Sequence, residues 1–132
     1  YTRSIMENVV PVAKENGYEP DNLVCSDDLI EGRPGPLGMY QCFVDLGVYP
    51  PSAVIKVDDT VPGLQEGVSA GCITVGLALS GNFVGKTPAE LAEMSEAEID
   101  ELRQAATKVL TEGGAHHVID SVADLPALLK SL

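Results

Sequence analysis

The stretch AVIKVDDTVPG, residues 53–63, decides the fold class of this 132-residue chain. It begins with an apolar, β-branched run at 53–57, which is typical of a buried strand. The run is followed at once by Asp58-Asp59-Thr60 and then by Pro62, a residue that suits the first turn of a helix. A strand that leads directly into a helix is the first half of a βαβ unit.

The same alternation of strand and helix extends along the rest of the chain. Further short apolar runs predict three more strands, at residues 22–25, 72–77 and 117–119. Start and stop signals predict helices around them, marked by Asn16-Gly17, Pro36, Gly47, the capping boxes 87–90 and 95–98, and the leucines of 125–132. The pattern indicates an α/β fold with a doubly wound parallel sheet, in a single domain over residues 1–132.

The charge of the chain limits its partners. Acidic residues outnumber basic ones 20 to 8, which gives a formal net charge of -12. This field repels nucleic acid and anionic membrane surfaces, so we expect neither as a partner. An anionic ligand would need a local cation, either an arginine or a bound metal ion.

Hydropathy and cysteine content indicate a soluble protein of the cytoplasm. Hydrophobic residues make up 45% of the chain, with two Phe, four Tyr and no Trp, so we expect a mainly aliphatic core. No stretch has the pattern of a membrane span or of a signal peptide. The three cysteines, Cys25, Cys42 and Cys72, lie in apolar or helical segments, which favours buried free thiols in a reducing compartment.

Two strand ends carry the residues with the clearest chemical use, because ligands of open α/β sheets bind outside the carboxyl ends of the strands. The first is followed by Gly32-Arg33-Pro34-Gly35-Pro36. The prolines restrict the backbone after Arg33, and a fixed guanidinium suits bidentate contact with phosphate oxygens. An exposed turn arginine paired with a neighbouring acid explains the local sequence equally well.

The second strand end carries the adjacent carboxylates Asp58 and Asp59. Such a pair before a helix N-terminus suits Mg²⁺, which would neutralise phosphate charge. The local sequence alone favours the alternative, a pair of solvated turn acids of which one caps the helix. Lys56 could pair with an acid. The adjacent His116 and His117 are expected on opposite faces of a strand, and no Cys or acid lies near them at the spacing of a metal site.

Taken together, these segments resemble the second half of the phosphonatase (phosphonoacetaldehyde hydrolase) family in the haloacid dehalogenase superfamily. The resemblance covers nearly the whole chain. It is carried by residues 1–3, 32–36, 46–51, 53–62, 70–76 and 114–120. The runs Gly-Val-Tyr-Pro-Pro at 47–51 and Gly-Ala-His at 114–116 are the most specific to this family.

The resemblance implies a reaction. In this family an aspartate at the end of the first core strand attacks phosphorus beside Mg²⁺, while a cap-domain lysine forms a Schiff base with the aldehyde. Water then hydrolyses the aspartyl-phosphate, and the products are phosphate and acetaldehyde. The resemblance implies that Arg33 is the catalytic and substrate-binding cation, that Tyr1 borders the substrate pocket, and that Asp59 is the Mg²⁺ ligand, with Asp58 as a second candidate.

Two positions of the metal loop depart from the family pattern, which is Gly-Asp-Thr followed after a short gap by a second Asp. Asp58 stands in place of the Gly, and Gly63 stands where the second Asp is expected. A side chain at residue 58 would crowd a tight turn, and a lost carboxylate at 63 removes support for the metal. We expect Asp58 either to compensate in part or to misplace Asp59.

The family's nucleophile strand, helical cap and cap lysine would precede Tyr1, so we expect an incomplete core and little or no catalysis by this chain alone. The alternative is a non-catalytic α/β module that associates with itself or with a partner. In the superfamily the nucleophile strand lies between the strands predicted at 22–25 and 53–57. The strands at 22–25 and 53–57 are therefore expected either to pair directly with each other or to have a strand of a second chain between them. That second chain would be another copy, in a homodimer, or a complementing chain.

Overall fold

The capping signals and β-branched runs produce six α-helices and three strands in the computed structural model, which describes all residues from 1 to 132. The helices are α1 (Arg3–Glu15), α2 (Leu37–Leu46), α3 (Val61–Ala70), α4 (Pro88–Ala92), α5 (Glu96–Glu112) and α6 (Leu125–Leu129). The strands are β1 (Ile55–Asp58), β2 (Ile73–Leu77) and β3 (His117–Ile119).

The three strands form one parallel sheet in the order β1-β2-β3. Ile55 lies opposite Ile73, and Val75 lies opposite His117. Helix α3 connects β1 to β2 and packs on both, while α5 precedes β3 and packs on β2 and β3. The predicted α/β fold with a parallel sheet is confirmed.

The helix boundaries follow from local chemistry. Ser95 and Thr87 begin α5 and α4 through capping boxes, in which each hydroxyl accepts from a backbone N–H and a glutamate reaches back to the cap. Gly47 ends α2 with a φ of 63°, a left-handed conformation that costs glycine little. These predicted signals are confirmed.

Three predicted boundaries are wrong. Residues 22–25 have no regular secondary structure, because no neighbouring strand bonds to them, and they do not pair with β1. Residues Pro51–Ala53 form a 3-10 turn, so β1 begins at Ile55 and includes Asp58. Helix α6 ends at Leu129, short of the chain end.

The core is aliphatic, as predicted, and it is small. Its cluster lies between the sheet and α3 and α5, and consists of Leu64, Ala78, Ala106, Leu110 and Ala115. The chain exposes 8305 Å², whereas a compact protein of 13.9 kDa exposes roughly 6,700 Å². Helices α1, α2 and α6 contain no fully buried residue. Much of the surface is therefore available for further contacts.

The cysteines are free, as predicted, with Cys25 and Cys72 buried and Cys42 half-buried. Burial raises the pKa of the Cys42 and Cys72 thiols, which keeps them protonated at neutral pH. None of the helices has the length and apolar character needed to cross a membrane.

Candidate active site

The carboxyl end of β1 is the centre of the candidate site. The strand ends at Asp58 and α3 begins at Val61, so Asp59 and Thr60 form the connecting turn. Thr60 is the N-cap of α3, and its hydroxyl accepts from the Gly63 N–H at 3.3 Å. The alternative in which an aspartate caps the helix is therefore wrong.

Asp58 is the most heavily bonded residue of this region. Its Oδ1 accepts from the Thr60 N–H at 2.9 Å and from the Thr60 hydroxyl at 2.8 Å. Its Oδ2 lies 3.2 Å from Arg33 Nη1 and 3.3 Å from Lys56 Nζ. Burial alone would raise the pKa of Asp58, but the Thr60 hydrogen bonds and the charge of Lys56 outweigh burial and lower it. Asp58 is therefore an ionised link between the strand, the helix cap and two cations.

Lys56 has a second partner that sequence reasoning missed. Its Nζ donates to Glu66 Oε2 at 2.8 Å, and Glu66 is a buried residue of α3. The predicted pairing of Lys56 with an acid is confirmed for both Glu66 and Asp58. Nothing local in the sequence indicates that Glu66 faces the sheet, since a glutamate on a helix is usually exposed.

Asp59 contacts a different element from Asp58. Its Oδ2 accepts from the Asn82 N–H at 2.7 Å, in the loop that follows β2. Asp59 takes no part in the ion pairs of Arg33 and Lys56. The two adjacent aspartates thus have separate environments, one among cations and one at the loop after the neighbouring strand.

A cavity of about 310 Å³ is lined by residues 24–26 and by Lys56 of β1. Tyr1, Arg33, Lys56 and Glu66 all border it, together with Gly38, Met39 and Cys42 near α2. The structure therefore places the predicted site residues Tyr1 and Arg33 on one cavity. Asp58 and Asp59 do not line it, although Asp58 contacts two residues that do.

At the strand end this chain offers a magnesium ion one carboxylate, that of Asp59. No group of three or more His, Cys, Asp or Glu side chains is placed to bind a metal. Both oxygens of Asp58 are taken by Thr60 and by the two cations. Asp59 remains as one carboxylate, whereas Mg²⁺ needs octahedral oxygen coordination, usually from one or two carboxylates with waters and substrate oxygens. Any metal site here would need ligands from outside this chain.

His116 is engaged away from this site. Its Nδ1 accepts from the Thr74 backbone N–H at 3.0 Å, and Thr74 Oγ1 lies 2.6 Å from both Nδ1 and the Gly114 carbonyl oxygen. These contacts join the start of β2 to the approach of β3. The His116 ring therefore has a structural role at the amino-terminal end of the strands, whereas the candidate site lies at their carboxyl end.

Comparison with known proteins identifies relatives of this chain. No profile of a known protein family matches the chain. The phosphonoacetaldehyde hydrolase of Aeromonas hydrophila is 47% identical over 133 residues, which cover 100% of this chain and 48% of that protein. The chain is homologous to phosphonoacetaldehyde hydrolases.

Solved structures agree with this homology. A phosphonoacetaldehyde hydrolase-like protein from Oleispira antarctica superposes with a TM-score of 0.95 at 40% identity, over 99% of this chain and 48% of that one. A haloacid dehalogenase-like protein of unknown function from Agrobacterium tumefaciens gives a TM-score of 0.68 at 20% identity, over 99% of this chain and 51% of that one, and supports the fold alone. The predicted resemblance to phosphonatases is confirmed. The chain spans about half the length of the curated relatives it matches.

Proposed function

We propose that this chain supplies the phosphoryl-binding part of a phosphonoacetaldehyde hydrolase, an enzyme that hydrolyses the C–P bond of a small phosphonate. The observation that carries the proposal is the position of Arg33. Its guanidinium is paired with Asp58 at the carboxyl end of β1 and borders a cavity that Tyr1 also lines. The names of the homologues support a hydrolase over a non-catalytic module.

Arg33 has donors left for a ligand. A guanidinium carries five N–H groups, and within the chain Arg33 forms one hydrogen bond, from Nη1 to Asp58. Its side chain is 51% exposed. The remaining donors match two phosphoryl oxygens in a bidentate way, and a cation placed there stabilises negative charge that develops as phosphorus is attacked. The attacking aspartate, in this proposal, belongs to the part of the relatives that this chain does not span.

The charge at the strand end favours a further positive group beside Arg33. Arg33 and Lys56 pair with Asp58 and Glu66, and Asp59 adds a third carboxylate in the turn after β1, so these five residues carry a summed charge of -1. A phosphonate anion would meet this charge in a chain of net charge -12. The proposed enzyme therefore needs a further positive group, and Mg²⁺ with Asp59 as one ligand would supply it.

The outer edge of β1 is the proposed contact with the rest of the enzyme. β1 pairs with β2 on one side only, and Lys56 of β1 lines the same cavity as residues 24–26. An unpaired edge of this kind accepts another strand. A strand from a complementing chain, or from a second copy, is proposed to fill this position, and light scattering at micromolar concentration would distinguish a monomer from a dimer.

Titration with inorganic phosphate tests the role of Arg33. We expect Arg33→Gln to weaken phosphate binding about tenfold or more, because a hydrogen bond to a charged group contributes about 1.5–3 kcal/mol. Lys108→Gln, which removes the same charge from an exposed position on α5, is the matched control. Equal affinities for the two variants would contradict the proposal.

Turnover tests the whole reaction. We expect the 132-residue chain alone to release little or no phosphate from phosphonoacetaldehyde with Mg²⁺, and phosphate release to begin when the remaining half of a homologous enzyme is added. Full turnover by the chain alone would show that its own residues supply the nucleophile.

A further inference from the structure

The carboxylate of Asp58 fills the volume that any side chain at residue 63 would need. A Cβ atom added to Gly63 would lie 2.0 Å from Asp58 Cγ, 2.0 Å from Oδ2 and 2.3 Å from Oδ1. These are its three nearest atoms, and Cβ contacts under 3.0 Å are essentially never seen. Gly63 has no positive φ, so its backbone conformation is open to other residues. The obstacle at residue 63 is the Asp58 carboxylate.

Neither group can move cheaply to relieve such a clash. Thr60 donates twice to Asp58 Oδ1, and Arg33 and Lys56 both pair with Oδ2. Gly63 lies in the first turn of α3, where its N–H is bound to the Thr60 hydroxyl. A carboxylate at residue 58 and a side chain at residue 63 therefore exclude each other.

We propose that Asp58 and Gly63 form one coupled unit, in which Asp58 is a positioning residue that orients Arg33 and Gly63 provides the space for its carboxylate. The two departures from the family pattern are one exchange, since the carboxylate of Asp58 occupies the place that the Cβ atom of an aspartate at residue 63 would take. The four bonds of Asp58 go to a helix cap and to cations, which makes it a holder of Arg33 and not a metal ligand. The role of Arg33 rests on the proposed function; the coupling of residues 58 and 63 does not.

Folding equilibria measured by urea denaturation test the coupling. In the unaltered chain we expect Gly63→Ala to lower the folding equilibrium constant about tenfold or more, as overpacking does. In an Asp58→Ala background the same change is expected to raise it about two- to fivefold, because alanine favours a helix over glycine. A Gly63→Ala chain that does not fold also agrees with the clash. The same effect in both backgrounds would overturn the coupling.

Arginine side-chain ¹⁵N NMR tests the positioning role. The chain has three arginines, and Arg3 and Arg103, which are paired with Asp28 and Asp120, serve as internal controls. We expect Asp58→Asn, which keeps the shape and removes the charge, to lower the order parameter of the Arg33 Nε–H group alone. The exchange variant Asp58→Gly/Gly63→Asp is expected to restore it. An unchanged Arg33 signal in Asp58→Asn would refute the positioning role.

The phosphate titration separates this inference from the proposed function. If Arg33→Gln binds phosphate as the unaltered chain does while the coupling and the Arg33 signal behave as expected, the proposed function fails and the inference stands. If phosphate binding depends on Arg33 while Asp58→Asn leaves the Arg33 signal unchanged, the inference fails and the proposed function stands.

Discussion

Replacement of Lys56 by Met is predicted to be one of the most damaging single changes in the chain. The Lys56 side chain is only 18% exposed and is bound to two carboxylates, at 2.8 Å for Glu66 and 3.3 Å for Asp58, whose side chains are 8% and 10% exposed. Methionine preserves most of the volume and removes the charge, so Glu66 keeps a buried negative charge without a partner. Loss of one member of a buried ion pair costs about 3–5 kcal/mol. That is a large part of the 5–15 kcal/mol by which domains are usually stable.

Urea denaturation followed by circular dichroism measures this cost. With a slope of about 1–3 kcal/mol per molar urea, the midpoint should fall by roughly 2 M, and a marginally stable chain would unfold without urea. Lys108→Met, on the exposed face of α5, should change stability by less than about 0.5 kcal/mol. Lys56→Met/Glu66→Met should recover at least half of the loss, because no buried charge remains at residue 66. The reasoning is refuted if Lys56→Met costs no more than Lys108→Met.

Two further predictions concern other parts of the fold. Thr74→Val removes the buried hydroxyl that lies 2.6 Å from the Gly114 carbonyl oxygen. Urea denaturation should show that this change lowers the free energy of unfolding by about 1–3 kcal/mol. The control Thr111→Val, at an exposed position, should lower it by less than about 0.5 kcal/mol. Hydrogen bonds from Ser95 lower the pKa of Glu98 below its ordinary value of 4.5. The ionised Glu98 carboxylate therefore contributes its full stabilisation above pH 4.5, and this stabilisation is lost as the pH falls through the lowered pKa. The urea midpoint should therefore decline less steeply below pH 4.5 in Glu98→Gln, and an identical decline in both proteins would show that this cap does not contribute.

The sequence predicted the parts of the fold that depend on neighbouring residues. The capping boxes at Thr87 and Ser95 and the β1–α3 connection are local signals, and all three are present. The segment 22–25 has strand-like composition, but a strand exists only when another strand bonds to it, and composition cannot supply that partner. The burial of Glu66 depends in the same way on distant packing, so local sequence could not reveal its pairing with Lys56.

The candidate site shows the same division. Arg33, Asp58 and Asp59 were predicted as candidates from their types and positions, and the departures at Asp58 and Gly63 were visible in the sequence. The steric link between residues 58 and 63 was not visible in the sequence. The two residues are five positions apart, and only the three-dimensional structure of the turn between β1 and α3 shows that their side chains would overlap. The geometry also separates Asp58 from Asp59, which adjacent positions had suggested as joint metal ligands.

Burial assigns different roles to the two cations that share Asp58. Lys56 and Glu66 are largely shielded from water, so their pairing is firm and its loss is costly. Arg33 is half-exposed, and an ion pair in such a position contributes only about 0–1 kcal/mol. A contact that weak can orient a guanidinium without preventing it from turning to a phosphoryl group, whose bidentate contacts are stronger. Arg33 is therefore suited to bind a ligand, while Lys56 stabilises the strand end on which Arg33 depends.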